Sequence, residues 1–410
     1  MNVCFLCEQS ELKTILDLGL SPVANNLERE QSISIKSKKE PLILSQCSGD
    51  CGHVQIRDHI NQELIFQDYL YTSSVSSTLS KHLSKIATEI NKKFGINKEQ
   101  FIVDIGSNDG TFLNSVKLYT DKFLGVDPAS NLSKLANEKN LETLNEFFTE
   151  NIANRILQDK GSADFIVSTN TYAHTPKIRD FTKGLKVLLS EKGVIIIEVH
   201  YLGSMIESNS FDTIYHEHFS YWSLSSLIKI FSDFDLTIFD VEILPIHHGQ
   251  IRIFASHNGK YNVKDSVTNL LDKENNQGIK SESLTLFSKK SVEIKEKINK
   301  MVREIKSKGG SISGYGAPAK AVTMLSFLEI DDSTIPVIYD KSQLKQNMFI
   351  PGTSINIQDP KYLKSNNPDY IFLFSWNFST EIINELQNVY GFSGKVIIPI
   401  PELIIKSVNE

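Results

Sequence analysis

Short apolar runs alternate with amphipathic stretches over most of this chain. Phe101-Ile-Val-Asp-Ile105, Phe123-Leu-Gly-Val126, Asp164-Phe-Ile-Val167 and Val194-Ile-Ile-Ile197 are too brief and too uniformly apolar for surface helices. They predict strands buried on both faces, and the stretches between them predict the crossover helices of βαβ units. The same texture returns at Ser311-Ile-Ser-Gly-Tyr315 and runs on through Val337-Ile-Tyr339, Tyr370-Ile-Phe-Leu-Phe374 and Lys395-Val-Ile-Ile398. Leu79, Leu83, Ile86 and Ile90 recur at helical spacing and predict a helix over 76–94. Residues 263–308 are rich in lysine and glutamate. Leu284, Leu286, Phe287, Val292, Ile294, Ile298 and Val302 recur there with helical periodicity, which predicts a helical connector. Residues 205–257 are less regular and rich in aromatics and histidines.

A chain of 410 residues is long enough for two or three domains. Its 40% hydrophobic and 22% charged residues are ordinary for a globular protein. The balance of 43 basic against 49 acidic residues argues against non-specific nucleic-acid binding. No apolar run is long enough to cross a bilayer, and Met1-Asn2-Val3-Cys4 does not begin like a secretory signal. The expected compartment is the cytosol, with no membrane partner.

All four cysteines lie within the first 51 residues, as Cys4-Phe-Leu-Cys7 and Cys47-Ser-Gly-Asp-Cys51. Two close pairs on a segment that can fold back present four thiolates tetrahedrally, so Zn²⁺ is the expected ligand. Three residues separate the second pair, where two are commoner. Two disulfides would be the alternative in an oxidising compartment.

Val103-Asp-Ile-Gly106-Ser-Asn-Asp-Gly110-Thr lies between a predicted strand and a predicted helix. Glycine there lets the backbone approach a ligand closely, and a helix start offers unpaired N–H groups. Asp127 ends the next predicted strand, where an acid accepts from ribose hydroxyls. The spacing differs from the G-x-G-x-x-G of dinucleotide binders, and Asp104 precedes the first glycine. That combination favours a nucleoside with a cationic, phosphate-free tail, namely S-adenosylmethionine. A second turn, Gly314-Tyr315-Gly316-Ala317-Pro318-Ala319-Lys320, reads as G-x-G-x-x-A, with Asp340 ending the following strand. Alone it fits a nicotinamide fingerprint, so an NAD(P)-dependent oxidoreductase is the rival enzyme class. That reading leaves the first turn and the histidine block without a role.

Tyr172-Ala-His174 follows a predicted strand at the carboxyl edge, where open parallel sheets bind ligands. Tyr215-His216-Glu217-His218-Phe219 concentrates a phenol, two imidazoles and a carboxylate. On a helix Tyr215 and His218 share a face; in an extended segment Tyr215 and Glu217 do. Either arrangement sets a base beside a phenol donor. A non-catalytic, zinc-anchored binding protein is a third class, and this intact pair argues against it.

The ordered set of paired cysteines with Gly52-His-Val-Gln55, Asp104–Gly110, Asn170-Thr-Tyr-Ala-His174, Tyr215–Phe219 and Gly314–Lys320 resembles one family over nearly the whole chain. That family is the S-adenosylmethionine-dependent C-methyltransferases acting on nucleotide-linked keto-deoxysugars. The resemblance implies an α/β fold: a zinc-binding segment over 1–60, a class I methyltransferase (Rossmann-like) domain over 61–260, a connector over 261–308 and a C-terminal Rossmann-like domain over 309–410. It implies Asp104, Gly106, Ser107, Asn108, Gly110, Asp127 and Asn170 at the donor, with Tyr69, Tyr315, Gly316, Ala317 and Lys320 at the sugar nucleotide. His218 would be the base, Glu217 would orient it, Tyr215 would donate to the enolate oxygen, and His174 would touch the sugar. A monomer is expected by the same resemblance. O-methylation stays open, since the same base could act on a hydroxyl.

Overall fold

The computed structural model describes every residue except 1, 2, 10, 67, 68, 70, 71, 76, 246–248, 280, 281, 409 and 410. Strands β1 (Leu12–Pro22), β2 (Lys39–Cys47) and β3 (Val54–Ile56) form an antiparallel N-terminal sheet. The helix Ser77–Phe94 follows; position 76, the expected start, lies outside the described residues. Next come β4 (Ile102–Ile105), β5 (Phe123–Val126), β6 (Thr143–Leu144), β7 (Ala163–Thr169) and β8 (Leu189–His200). Then follow β9 (Ser220–Tyr221), β10 (Leu236–Leu244) and β11 (Gln250–His257). The C-terminal part contributes β12 (Ile312–Tyr315), β13 (Val337–Tyr339), β14 (Asn356–Gln358), β15 (Tyr370–Leu373), β16 (Lys395–Ile398) and β17 (Ile404–Ser407).

The central sheet has the order β10-β11-β8-β7-β4-β5-β6, and the C-terminal sheet β14-β13-β12-β15-β16-β17. Each has five parallel strands in the order third, second, first, fourth, fifth, continued by antiparallel pairing beyond the fifth, through β11 and β10 in the central sheet and β17 in the C-terminal one. The first and fourth strands of each sheet flank its switch point, where side chains and ligands gather. Helices cover both faces, so Ile102, Val103, Leu124, Ile166, Val167, Ile195 and Ile196 are all buried, as their unbroken apolar runs require.

The irregular block is where pattern reading was least informative. It supplies β10 and β11, which complete the central sheet with the buried Arg252 paired to Glu198 of β8. It also supplies β9, which leaves that sheet and pairs with β3, extending the N-terminal sheet across the molecule. The connector is two helices, Asp265–Gln277 and Glu282–Ser307, the first ending at the left-handed Gly278. Among the described residues no helix is long and apolar enough to cross a membrane.

Candidate active site

The two glycine turns are built alike. Gly106 N–H donates to the Val126 carbonyl and Gly316 N–H to the Tyr339 carbonyl, each at 2.7 Å. Asp127 accepts from Asn108 N at 2.8 Å and Ala129 N at 2.9 Å. Asp340 accepts from Ala317 N at 2.6 Å and Ser342 N at 2.8 Å. Both glycines have positive φ, 77° and 83°. A Cβ on Gly106 would lie 1.8 Å from Thr171 Oγ1, and one on Gly316 would lie 2.3 Å from Ser375 Oγ. Only glycine satisfies such a turn, since a side chain would meet both the strained backbone and the neighbouring strand end.

Both turns open on one cavity of about 980 Å³. Asp104, Gly106, Ser107, Asn108, Asp127 and Asn170 line it from the first turn's side. Tyr315, Gly316, Lys320 and Asp340 line it from the second. Burial raises the Asp127 carboxyl to about 6 against the pull of its two N–H donors. Burial, followed by the nearby Asp127 charge, lifts Asp104 well above the carboxylate range. Two desolvated carboxylates side by side suit a cationic ligand, which relieves both burial and mutual repulsion. The residues therefore fit S-adenosylmethionine. Gly110 is off the cavity wall: it precedes the helix Thr111–Val116, and its missing Cβ leaves room for Leu141. Ala317 is likewise off the wall and contributes its N–H to Asp340.

Between the turns lies the histidine block. Tyr215 to His218 is neither helix nor strand but a tight turn closed by His218 N donating to Tyr215 O at 2.9 Å. It sets the two rings 4.0 Å apart, with Tyr215 Oη 2.8 Å from His218 Nε2. His218 Nδ1 lies 2.9 Å from the Thr213 carbonyl. A carbonyl only accepts, so Nδ1 carries the proton and Nε2 of the neutral ring presents its lone pair toward the phenol. The rings of His174 and His200 lie 5.0 and 4.9 Å from that of His218. Burial and the neighbouring His200 lower His174 to about 3, so it stays neutral.

Glu217 departs from the expected role. It points off the cavity wall, and its carboxylate accepts from Asn25 Nδ2 at 2.8 and 2.7 Å and from Tyr69 Oη at 3.1 Å rather than contacting His218. The turn causes this, because side chains at its ends converge and the two between them point elsewhere. Burial raises Glu217 to about 7, opposed by its hydrogen bonds to Asn25 and Tyr69. Tyr69 lines the cavity and is also tied through its backbone to Asn131. His200 and Asn25 were missed in the sequence. His200 ends β8, so the strand-end rule could have found it; nothing local marks Asn25.

The four cysteines converge, with every Sγ within 4.8 Å of the others. Cys4–Cys51 and Cys7–Cys47 measure 3.6 and 3.7 Å. Zn–S bonds of about 2.3 Å in a tetrahedron require S···S edges of about 3.8 Å. The residues fit zinc, and the wider second spacing is accommodated. The N-terminal unit also braces the Tyr215–His218 turn. Gln55 of β3 pairs with Ser220, Ile56 N donates to Phe219 O at 3.1 Å, and His53 Nε2 lies 3.0 Å from Ser220 Oγ.

Three family models match in order: "Putative zinc binding domain" over residues 4–66, "Methyltransferase domain" over 76–241 and "C-methyltransferase C-terminal domain" over 245–401. The C-methyltransferase NovU of Streptomyces niveus is 31% identical over 404 residues, covering 98% of this chain and 96% of the relative. Solved structures that align include magnesium protoporphyrin IX methyltransferase of Synechocystis and an S-adenosylmethionine-dependent methyltransferase of Clostridium acetobutylicum. They are 10% and 13% identical, with TM-scores of 0.34 and 0.36. Each covers 44% of this chain, and 79% and 92% of its own; likeness at that level carries no weight here. The match in family sets aside the oxidoreductase reading of the chain. On the full-length relative and the three ordered matches, the chain belongs to the C-methyltransferase family, as an S-adenosylmethionine-dependent methyltransferase with a four-cysteine zinc site.

Proposed function

We propose that this enzyme methylates a carbon next to the keto group of a nucleotide-linked sugar, through an enolate. The observation that carries the reading is the His218–Tyr215 pair in a cavity shared by two nucleoside-type turns. One turn suits the donor's adenosine. The other, with Lys320, Lys341 and Lys345 on the same wall, suits a nucleoside diphosphate.

A C–H beside a carbonyl is a weak acid, so a base must take its proton while a donor holds the enolate oxygen. His218 Nε2 is the base, oriented by the Thr213 carbonyl. One lone pair cannot hold both the substrate proton and the Tyr215 hydroxyl proton. As Nε2 is protonated, the phenol O–H is released to donate to the enolate oxygen. Bound S-adenosylmethionine supplies an electrophilic sulfonium methyl, and the Asp104–Asn108 turn with Asp127 fixes its position relative to the enolate carbon. Tyr69 and Glu217 hold the segment that borders the sugar.

Incubation with methyl-labelled S-adenosylmethionine and a panel of thymidine, guanosine and cytidine diphospho-4-keto sugars tests this. A product heavier by one methyl group, located on carbon by NMR, is expected. Methylation on oxygen, or none with any member, would sink the proposal.

The donor end makes a separate prediction. Asp127 accepts ribose hydroxyls as a carboxylate, and its carboxyl titrates near 6. S-adenosylhomocysteine affinity should therefore fall as pH drops through about 6. Asp127→Asn should weaken binding by roughly 1–3 kcal/mol and flatten that dependence. Calorimetry across the range decides; an unchanged pH profile in the variant removes Asp127 from the ribose.

A further inference from the structure

One short turn, Phe211–Thr213, joins the two halves of the cavity. On one side the Thr213 carbonyl orients His218. On the other, Asp212 is fully buried against the C-terminal unit: Trp376 Nε1 donates to its Oδ2 at 2.7 Å, and Lys320 Nζ lies 3.4 Å from the same oxygen. The following residue is fastened to that unit too, since Thr323 Oγ1 donates to the Ile214 carbonyl at 2.7 Å. Lys320 Nζ stands 4.4 Å from the Trp376 ring centroid and donates to Asn377 Oδ1 at 3.1 Å. Lys320 and Asn377 line the cavity, whereas Asp212 sits behind them. Asp212 Oδ1 has no hydrogen-bond partner among the described residues; burial raises this carboxyl, and the Lys320 charge is the first influence that opposes the rise.

We infer that Asp212 is a positioning residue that keeps Lys320 charged and fixed at the cavity wall, where the ammonium meets the diphosphate of the substrate. This rests on the nucleotide-sugar reading above. Burial of Lys320 favours its neutral amine, and the Asp212 charge opposes that. The Trp376 face adds a cation–π attraction, too small on its own to replace a lost counter-charge. Other titratable groups on the same wall are Asp340, Lys341, Lys345 and Glu381, with His174, His200 and His218 toward the catalytic side. Asp212 is the acid that lies beside the Lys320 ammonium among the described residues, and its charge opposes the loss of the Lys320 proton.

The test is calorimetric titration of the full-length protein with thymidine, guanosine, cytidine and uridine 5′-diphosphates, from about pH 6.5 to about pH 9. Asp212→Asn keeps an acceptor for Trp376 and removes only the charge. It should bind the preferred diphosphate roughly ten- to a hundredfold more weakly at the alkaline end, with a smaller deficit at the acid end, because Lys320 now loses its proton at lower pH. S-adenosylhomocysteine affinity should not change. Should Asp212→Asn fail to fold, Lys320→Met provides the second variant: its affinity should be low throughout and lack the alkaline decline. Where both fold, adding Asp212→Asn to Lys320→Met should cost nothing further. Parallel pH profiles in wild type and Asp212→Asn, or a further loss in the double variant, overturn the role of Asp212. Failure of every diphosphate to bind the wild type overturns the nucleotide-sugar reading itself.

Discussion

Replacing His218 with alanine is expected to lower turnover by about 10²–10⁴-fold, the contribution of one positioned general base. Donor affinity should stay nearly unchanged, because Asp104 and Asp127 approach the cavity from the strand ends of the central sheet while His218 belongs to the separate Tyr215–His218 turn. The mechanism also predicts exchange. Wild-type enzyme with the keto-sugar and no methyl donor should exchange the adjacent C–H with deuterated water. The His218 variant should not. Tyr215→Phe should slow both exchange and methylation, more mildly, since Nε2 remains while the enolate oxygen loses a donor. Mass spectrometry of the recovered sugar reads the first effect, and single-turnover transfer from labelled donor the second. Exchange that persists without His218 would assign the base elsewhere, with His200 and His174 next in the ring cluster.

Removing the zinc should have an effect of comparable size by a different route. About one zinc per chain is expected, and Cys7→Ser or strong chelation should unfold the N-terminal sheet. Structural zinc sites in small domains supply about 10–16 kcal/mol of apparent binding energy, as much as a whole domain's stability. The damage should reach the chemistry although no cysteine lines the cavity. β3 holds β9, which begins two residues after His218, and Asn25 holds Glu217 and through it Tyr69. A lower-temperature unfolding step by calorimetry, together with lost turnover, is the expected pair of results. Elemental analysis showing no metal in reducing buffer, or two disulfides by mass, would refute the zinc site. Loss of zinc with full turnover would show that the sheet does not brace the catalytic turn.

Much of this molecule is legible in local pattern. A strand buried on both faces needs an unbroken apolar run, so β4, β5, β7, β8, β12, β13, β15 and β16 could be read directly, whereas β14 could not. Gly106 and Gly316 show themselves because few other residues tolerate positive φ at a strand-to-helix turn, and Asp127 and Asp340 because each ends the next strand. Cysteines paired across two or three intervening residues are likewise a local signal. What the sequence determined is therefore what neighbours along the chain enforce: element type, turn chemistry and which residues carry reactive groups. Tertiary structure decided which groups meet. The conformation of the Tyr215–His218 turn made Glu217 the partner of Asn25, 192 positions away, instead of His218. Packing of the two α/β units opened both glycine turns on one cavity and buried Asp212 against Lys320 and Trp376. Such contacts depend on desolvation and on the entropy of closing long loops, which the whole fold meets at once and no sequence period records.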